Sequence, residues 1–308
     1  MHQNNSLHCH HVDHSFYATE EIGKIYSTLS QNFSQQDLAD SVVLATCQRI
    51  EAYTTRNANP LASLHLPFKH ISGRDALKHR LTSIACGVES QILGERNVYY
   101  QVINAFRDED DDNVLKRICA EAIADADAIR KEHGFSADMN YEDISLAILR
   151  DTLASADADG VGLVVVGSGM LARNFLDKGD LPYDPIVFLT RSPKNLKKKL
   201  DDQQKMGVMR CGDFLARHNG PYHCIIATNG LEKDNYAEAV RPVLLSGACK
   251  AVFDLSAAPL FQRDLQSTFY ADTYSSLYFK YVNWHNSAKL TEAKRIKDEI
   301  FNGIAAVA

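Results

Sequence analysis

The segment Thr46-Cys47-Gln48-Arg49-Ile50-Glu51 concentrates the reactive chemistry of this chain. Cys47 follows the apolar, β-branched run Ser41-Val-Val-Leu-Ala45, a pattern that predicts a buried strand opening at a surface. Arg49 stands two residues beyond the thiol and Glu51 four. A neighbouring cation favours the thiolate, the nucleophilic form. Two readings of Cys47 follow: a nucleophile presented to a cleft, or a small buried apolar side chain. A second chemical motif lies downstream. Gly167-x-Gly169-x-x-Ala172 directly follows the apolar run Val161–Val166 and opens a helical stretch. The first Gly permits a tight turn, the second lets a pyrophosphate approach the backbone, and Ala keeps the helix close to the sheet. The helix start then offers its positive end to phosphates. An NAD site ends its next strand with Asp or Glu. Here Ile186–Leu189 runs into Thr190-Arg191-Ser192. Arg191 and Lys194 suit a 2′-phosphate, with hydroxyls from Thr190 and Ser192, so NADPH is expected over NADH. The alternative is a glycine turn and a solvated basic loop without a ligand.

The elements that must position these groups are readable in outline. Leu7–Val12 reads as a strand and Thr19–Asn32 as a helix opened by acidic residues. Helical spacing runs from Ser72-Gly73-Arg74-Asp75 through Ala85, from about Glu89 to Phe106, over Val114–Glu132 and over Tyr141–Ser155. The texture then changes to short apolar runs (Val161–Val166, Ile186–Leu189, Cys224–Ala227, Ala251–Asp254) separated by helical segments. Strands alternating with helices predict a parallel sheet with right-handed crossovers. The expected class is α/β: an N-terminal α+β catalytic domain (residues 1–138), a Rossmann-type doubly wound NADPH-binding domain (139–284), and a C-terminal helix (285–308), its periodic stretch at Ser287–Ala305.

Composition sets limits on function. The 308 residues suffice for two domains, and 45% hydrophobic with 23% charged residues is ordinary for a globular protein. A net charge of −6 argues against a protein that coats nucleic acid by charge alone and leaves room for a local basic patch. The seven cysteines are scattered with no C-x-x-C pair, which suits reduced thiols. No secretory signal pattern and no apolar stretch of roughly 18 residues is present, so a soluble, cytoplasmic protein is expected. His8-Cys9-His10-His11-x-x-His14 supplies zinc-ligand types, but its spacing matches no common zinc pattern, and no metal is expected. On a strand, His8 and His10 face one way and Cys9 and His11 the other. Trp284 and Tyr270, Tyr274, Tyr278 and Tyr281 read as packing around the second domain. Lys78, Arg80, Arg96 and Arg117 read as a solvated helical face, with tRNA phosphates as the alternative partner.

Taken together, these motifs resemble those of the glutamyl-tRNA reductase family. Thr46-Cys47-Gln48-Arg49-Ile50-Glu51 is similar to its Thr/Ser-Cys-Asn-Arg-x-Glu signature, and Ala85-Cys-Gly87-Val-Glu-Ser90-Gln-Ile-Leu-Gly94-Glu95 to its Ala-x-Gly-Leu-Asp-Ser-x-x-x-Gly-Glu stretch. Gln101 matches a glutamine just beyond, and Gly167-Ser168-Gly169 and Thr190-Arg191-Ser192 match its two cofactor motifs. The resemblance implies that Cys47 attacks the ester joining glutamate to tRNA, and that NADPH reduces the resulting thioester to glutamate-1-semialdehyde. A thiol nucleophile divides one hard step into two easier ones. By resemblance, substrate contacts fall to Thr46, Gln48, Arg49, Glu51, Ser90, Glu95 and Gln101. Cofactor contacts fall to Gly167, Ser168, Gly169, Met170, Leu171, Thr190, Arg191, Ser192, Lys194 and Thr228.

Three departures accompany the likeness. Gln48 replaces the signature Asn. The family's catalytic His falls at Arg80, one residue beyond His79, and one residue on a helix is a rotation of about 100°. Either a local insertion restores His79 as that base, or the chain lacks it. The chain also ends inside the helix that leads to the family's dimerisation domain, so a monomer or a different dimer is expected. The expected partner is an aminoacyl-tRNA, with glutamyl-tRNA first. Another aminoacyl or carrier-bound acyl group, or a non-catalytic NADPH-binding role, are the alternatives.

Overall fold

His8-Cys9-His10-His11-Val12-Asp13 forms strand β1 (His8–Asp13), buried along its whole length and lying inside a four-stranded antiparallel sheet. The structure, a computed structural model, describes residues 7–32, 41–152, 160–175, 178, 181–197, 206–229, 231, 235–265 and 268–302. The chain forms two compact units, Met1–Asn140 with Val282–Ala308, and Tyr141–Tyr281.

In the first unit β2 (Ser41–Ala45), β3 (Arg49–Thr54), β1 and β4 (Lys69–Ser72) are ordered β2-β3-β1-β4. Register places Cys9, His11 and Asp13 opposite Tyr53, Glu51 and Arg49. Because successive side chains alternate between faces, these six share one face, while His8 and His10 share the other with His70. The first face packs on α2 (Arg74–Cys86), α3 (Asn97–Ala105) and α4 (Val114–Glu132) through Leu77, Leu81, Ile84, Val102 and Ile118. The second face meets Ile22 and Leu29 of α1 (Thr19–Asn32) together with Val12, Ile50 and Ala52.

The second unit starts with α5 (Tyr141–Asp151) and holds six parallel strands: β5 (Gly162–Val166), β6 (Ile186–Leu189), β7 (Met206–Met209), β8 (Tyr222–Ile226), β9 (Cys249–Asp254) and β10 (Phe269–Asp272). Their order, β7-β6-β5-β8-β9-β10, is the 3-2-1-4-5-6 arrangement of a Rossmann sheet. Helices α6 (Met170–Asn174), α7 (Pro193–Lys197), α8 (Cys211–Arg217) and α9 (Tyr236–Leu244) connect the strands. The last helix, α10 (Ser276–Asn302), begins in this unit and continues in the first.

Several sequence expectations change. The stretch from Glu89 is not helical until α3 begins at Asn97. Gly94, at φ +81°, has no room for a Cβ, which would lie 2.8 Å from Ala137 N, and a sharp loop replaces the helix there. The final helix starts at Ser276, well before Ser287. Its buried positions Tyr278, Val282, His285, Ala293, Ile296 and Ile300 repeat at helical spacing. Trp284 on it is 69% exposed, whereas Tyr270, Tyr274, Tyr278 and Tyr281 are buried or hydrogen-bonded within the second unit. The ends expected at residues 153–155 and 303–305 lie outside the described residues. No helix among the described residues is long and apolar enough to cross a membrane.

Candidate active site and dinucleotide site

Cys47 sits at the tip of the β2–β3 hairpin. Thr46 N donates to Arg49 O at 2.8 Å, and Thr46 Oγ1 accepts from Gln48 N at 3.1 Å, which closes the turn. All seven cysteines are described, six are buried, and Cys47 alone is partly exposed. The hairpin is tied to the loop after α2 on both sides of Ser90. Arg49 Nη2 donates to Glu89 O, and Gln48 Oε1 accepts from Gln91 N at 2.9 Å. That loop is fixed from behind. Arg130 on α4 donates to the carbonyls of Cys86 (2.8 Å), Gly94 (3.0 Å) and Glu95 (3.3 Å). His285 and Asn286 on α10 hold Leu93 and Gln91. No motif marks Arg130, His285 or Asn286; their role rests on backbone N–H and carbonyl groups that only the loop conformation presents.

Buried donors face this site without hydrogen-bond partners. Arg49 is 1% exposed; its Nε and Nη1 donate no hydrogen bond among the described residues, although Nη1 stands 3.5 Å from Glu51 Oε1. Ser90 Oγ is equally unengaged. Unmade bonds at buried polar atoms cost roughly 1–3 kcal/mol each, so these donors mark a place for an acceptor. The thiol itself is not activated. Burial, then the Glu95 carboxylate, pushes its pKa up to about 12, and Arg49 opposes this only in part. Gln101 is half-buried on α3 and makes no side-chain hydrogen bond among the described residues.

Arg80, not His79, faces this sheet. The Arg80 guanidinium bonds Asp13 Oδ2 at 2.6 Å and Glu51 Oε1 at 2.6 Å, with Nε 3.3 Å from Glu51 Oε2. This is neither a solvated residue nor a phosphate contact. Glu51 also accepts from Tyr53 OH at 2.7 Å and is fully buried, so its carboxylate is saturated by protein groups. Both carboxyls are held below the usual carboxylate range despite burial, Asp13 by its His11 hydrogen bond and Arg80, Glu51 by Arg80 and Arg49. His79 lies on another side of α2, edge-on to Phe301 at 6.1 Å, because α2 is continuous and contains no insertion. Ligand atoms of His11, Asp13 and Glu51 lie within 4.8 Å of one another, a grouping with metal-binding chemistry, but Arg80 already neutralises both acids. His14 is a further neighbour. Its backbone N donates to Gln48 O at 2.9 Å, its Nδ1 is buried without a partner, and burial followed by Arg49 pushes its pKa down to about 4. His8 and His10 instead stack on His70 across the opposite face.

In the second unit Gly167 leaves β5 at φ +131°, with a would-be Cβ 2.6 Å from Ala227 O and 3.1 Å from Thr228 Cβ. The loops after β5 and β8 therefore meet at the point where strand order reverses, the ligand crevice of such sheets. A Cβ on Gly169 would meet open space, as close backbone approach by a ligand requires. Ser168, Met170 and Leu171 follow on this turn and α6. Thr190, at the end of β6, is buried and accepts from Ser192 N at 3.3 Å; Ser192 and Lys194 are exposed. Arg191 lies 5.6 Å over the Tyr236 ring. No carboxylate ends β6. These features fit a dinucleotide.

A hairpin-borne thiol on an antiparallel α+β unit is followed by a Rossmann-type unit with a parallel sheet. Residues 4–133 match the model of the glutamyl-tRNAGlu reductase N-terminal domain, and over that stretch the chain is similar to it. It is 26% identical over 255 residues to protein nfe2 of Rhizobium meliloti, covering 79% of this chain and 80% of that one. It is 23% identical over 208 residues to glutamyl-tRNA reductase of Natronomonas pharaonis, covering 62% of this chain but only 46% of the relative. The solved glutamyl-tRNA reductase from Methanopyrus kandleri aligns over 97% of this chain and 79% of its own at 16% identity, with a TM-score of 0.46.

Proposed function

We infer that this chain is an NADPH-dependent reductase of an aminoacyl-tRNA, glutamyl-tRNA first, working through a thioester on Cys47. The observation that carries the reading is the single accessible thiol beside buried, hydrogen-bond-hungry donors on Arg49 and Ser90. Arg49 and Ser90 would hold the acyl group, and the hairpin would aim Cys47 at its ester carbonyl. Sulfur bonds to the carbonyl carbon, the thiol proton is lost, and the tRNA hydroxyl leaves with a proton. Gly167, Gly169, Thr190, Arg191, Ser192, Lys194 and Thr228 would hold NADPH, which supplies hydride when bound. Arg80 cannot serve as the proton acceptor, since a guanidinium does not deprotonate in proteins.

The same replacement favours a second reading, in which another aminoacyl or carrier-bound acyl group is the substrate. Labelled glutamyl-tRNA, with and without NADPH and with Cys47→Ala, separates them. Glutamyl transfer to the enzyme without NADPH, and Cys47-dependent aldehyde with it, supports the first. Inert glutamyl-tRNA with an adduct from a different charged donor supports the second. No adduct from any acyl donor overturns both.

A further inference from the structure

The strongest unassigned feature is a cavity of about 520 Å³ at the carboxyl ends of β6 and β7. It is lined by Thr190, Arg191, Arg210, Cys211, Asp213 and Tyr236, among others. Its construction follows from strand register. β6 and β7 pair in parallel with Leu189 beside Met209, and Thr190 N donates to Met209 O at 3.1 Å. The next residue on β7's side is Arg210, and two beyond Leu189 is Arg191. In that register Arg210 follows beside Thr190, one residue short of Arg191, and both arginines line the one cavity. The floor is apolar and fixed: Tyr236 and Cys211 are buried, and Tyr236 OH donates to Leu189 O at 2.9 Å. Arg191 stands over that tyrosine ring. Arg210 is exposed at the rim and has no ion pair or side-chain hydrogen bond among the described residues.

We propose that Arg210 is a specificity residue of this cavity, gripping together with Arg191 a phosphomonoester dianion on the ribose of the dinucleotide. The inference rests on the dinucleotide reading above and adds to it a residue outside the Thr190–Lys194 loop. Two guanidiniums from adjacent strands suit a phosphate that presents several acceptor oxygens at once. The apolar floor between them suits a flat base, and a ring under Arg191 allows the guanidinium to stack as well as to bond. Asp213 is the one carboxylate in the lining. It offers the opposite chemistry, acceptance from a ribose diol, as in sites that prefer the unphosphorylated cofactor. Two cations against one acid favour the dianion.

The test is binding by calorimetry on the full chain, with NADPH, NADH and adenosine 2′-monophosphate as probes. NADPH is expected to bind at least about tenfold more tightly than NADH, and the 2′-monophosphate to compete with it. Arg210→Ala, at an exposed position that leaves the fold intact, is expected to weaken NADPH about tenfold and NADH less than about twofold. Arg210→Lys should fall between, as a point charge replaces a fork. Equal loss for both dinucleotides, or no loss for either, overturns the proposal. So does NADH binding that is as tight as NADPH binding and is abolished by Asp213→Asn, although the dinucleotide reading then stands. If the wild-type protein binds neither dinucleotide, both readings fall together.

Discussion

Replacing Arg80 with Met tests the electrostatic centre of the first unit. The substitution keeps a long side chain but removes three charge-assisted contacts, at 2.6, 2.6 and 3.3 Å, from Asp13 and Glu51. Those acids are 4% and 0% exposed, so they cannot regain water. Removing one partner of a buried ion pair costs about 3–5 kcal/mol. With an m-value near 2 kcal/mol/M, the urea midpoint followed by far-ultraviolet circular dichroism should fall by about 2 M. The sign of the pH dependence gives a second measure. In the wild type both carboxyls are held below their ordinary range. Their contribution is present above the unfolded carboxylate pKa and lost as pH falls toward the folded one, so stability rises with pH. Without Arg80 the folded values rise, although the His11 hydrogen bond still lowers Asp13 and Arg49 still lowers Glu51. Between about pH 4 and 6 the slope of stability against pH should therefore flatten. Asp13→Asn added to Arg80→Met should recover part of the loss, because one buried carboxylate is removed while Glu51 keeps Arg49 at 3.5 Å. A midpoint shift worth less than about 1 kcal/mol, with the wild-type slope retained, refutes this account of the triad.

Further outcomes follow from the same geometry. Glu95→Gln removes a charge that raises the Cys47 thiol, so alkylation of Cys47 by iodoacetamide at pH 8 should speed up about threefold or more, with Cys47 as the main modified site by mass spectrometry. Gly169→Ala should weaken dinucleotide binding without lowering the melting temperature, since its Cβ meets open space. Gly167→Ala should lower the melting temperature as well, because its Cβ meets Ala227 O at a positive φ. His133 holds Glu292 at 2.5 Å and Glu299 at 2.9 Å, and the Glu292 bond raises its pKa. That tie is full below the ordinary histidine pKa and is lost as pH rises through the folded value. Amide exchange in the 282–302 segment should therefore quicken from pH 6 to 9 beyond the intrinsic rate, and His133→Ala should abolish that difference.

Local pattern carried much of this fold. The runs Ser41–Ala45 and Ile186–Leu189, and the helix Val114–Glu132, are continuous in apolar character or helical spacing, and they form the elements so predicted. β7 and β10 escaped notice. Met206-Gly-Val-Met and Phe269-Tyr-Ala-Asp are four-residue segments, too short for a period to register, and their pairing with longer neighbours makes them strands. Helical spacing runs through Gly94, but the segment between Gly87 and Gly94 is a loop shaped by Arg130, His285 and Asn286, side chains from helices distant in the sequence.

The field at Cys47 shows why site chemistry was less legible than site location. Proximity in sequence made Arg49 the activating cation, yet the thiol is raised, not lowered. Arg49 faces Glu51 at 3.5 Å and donates to Glu89 O, so its charge is already shared. Glu95, 48 positions away in the sequence, adds a negative charge beside the sulfur, and burial adds the larger penalty on the thiolate. Likewise Arg80 reads as surface on its own helix, and becomes a buried bridge only through partners 29 and 67 residues away. Position along the chain identifies which groups assemble. Which of them is charged, and how strongly, depends on burial and on long-range pairs that the strand register alone creates.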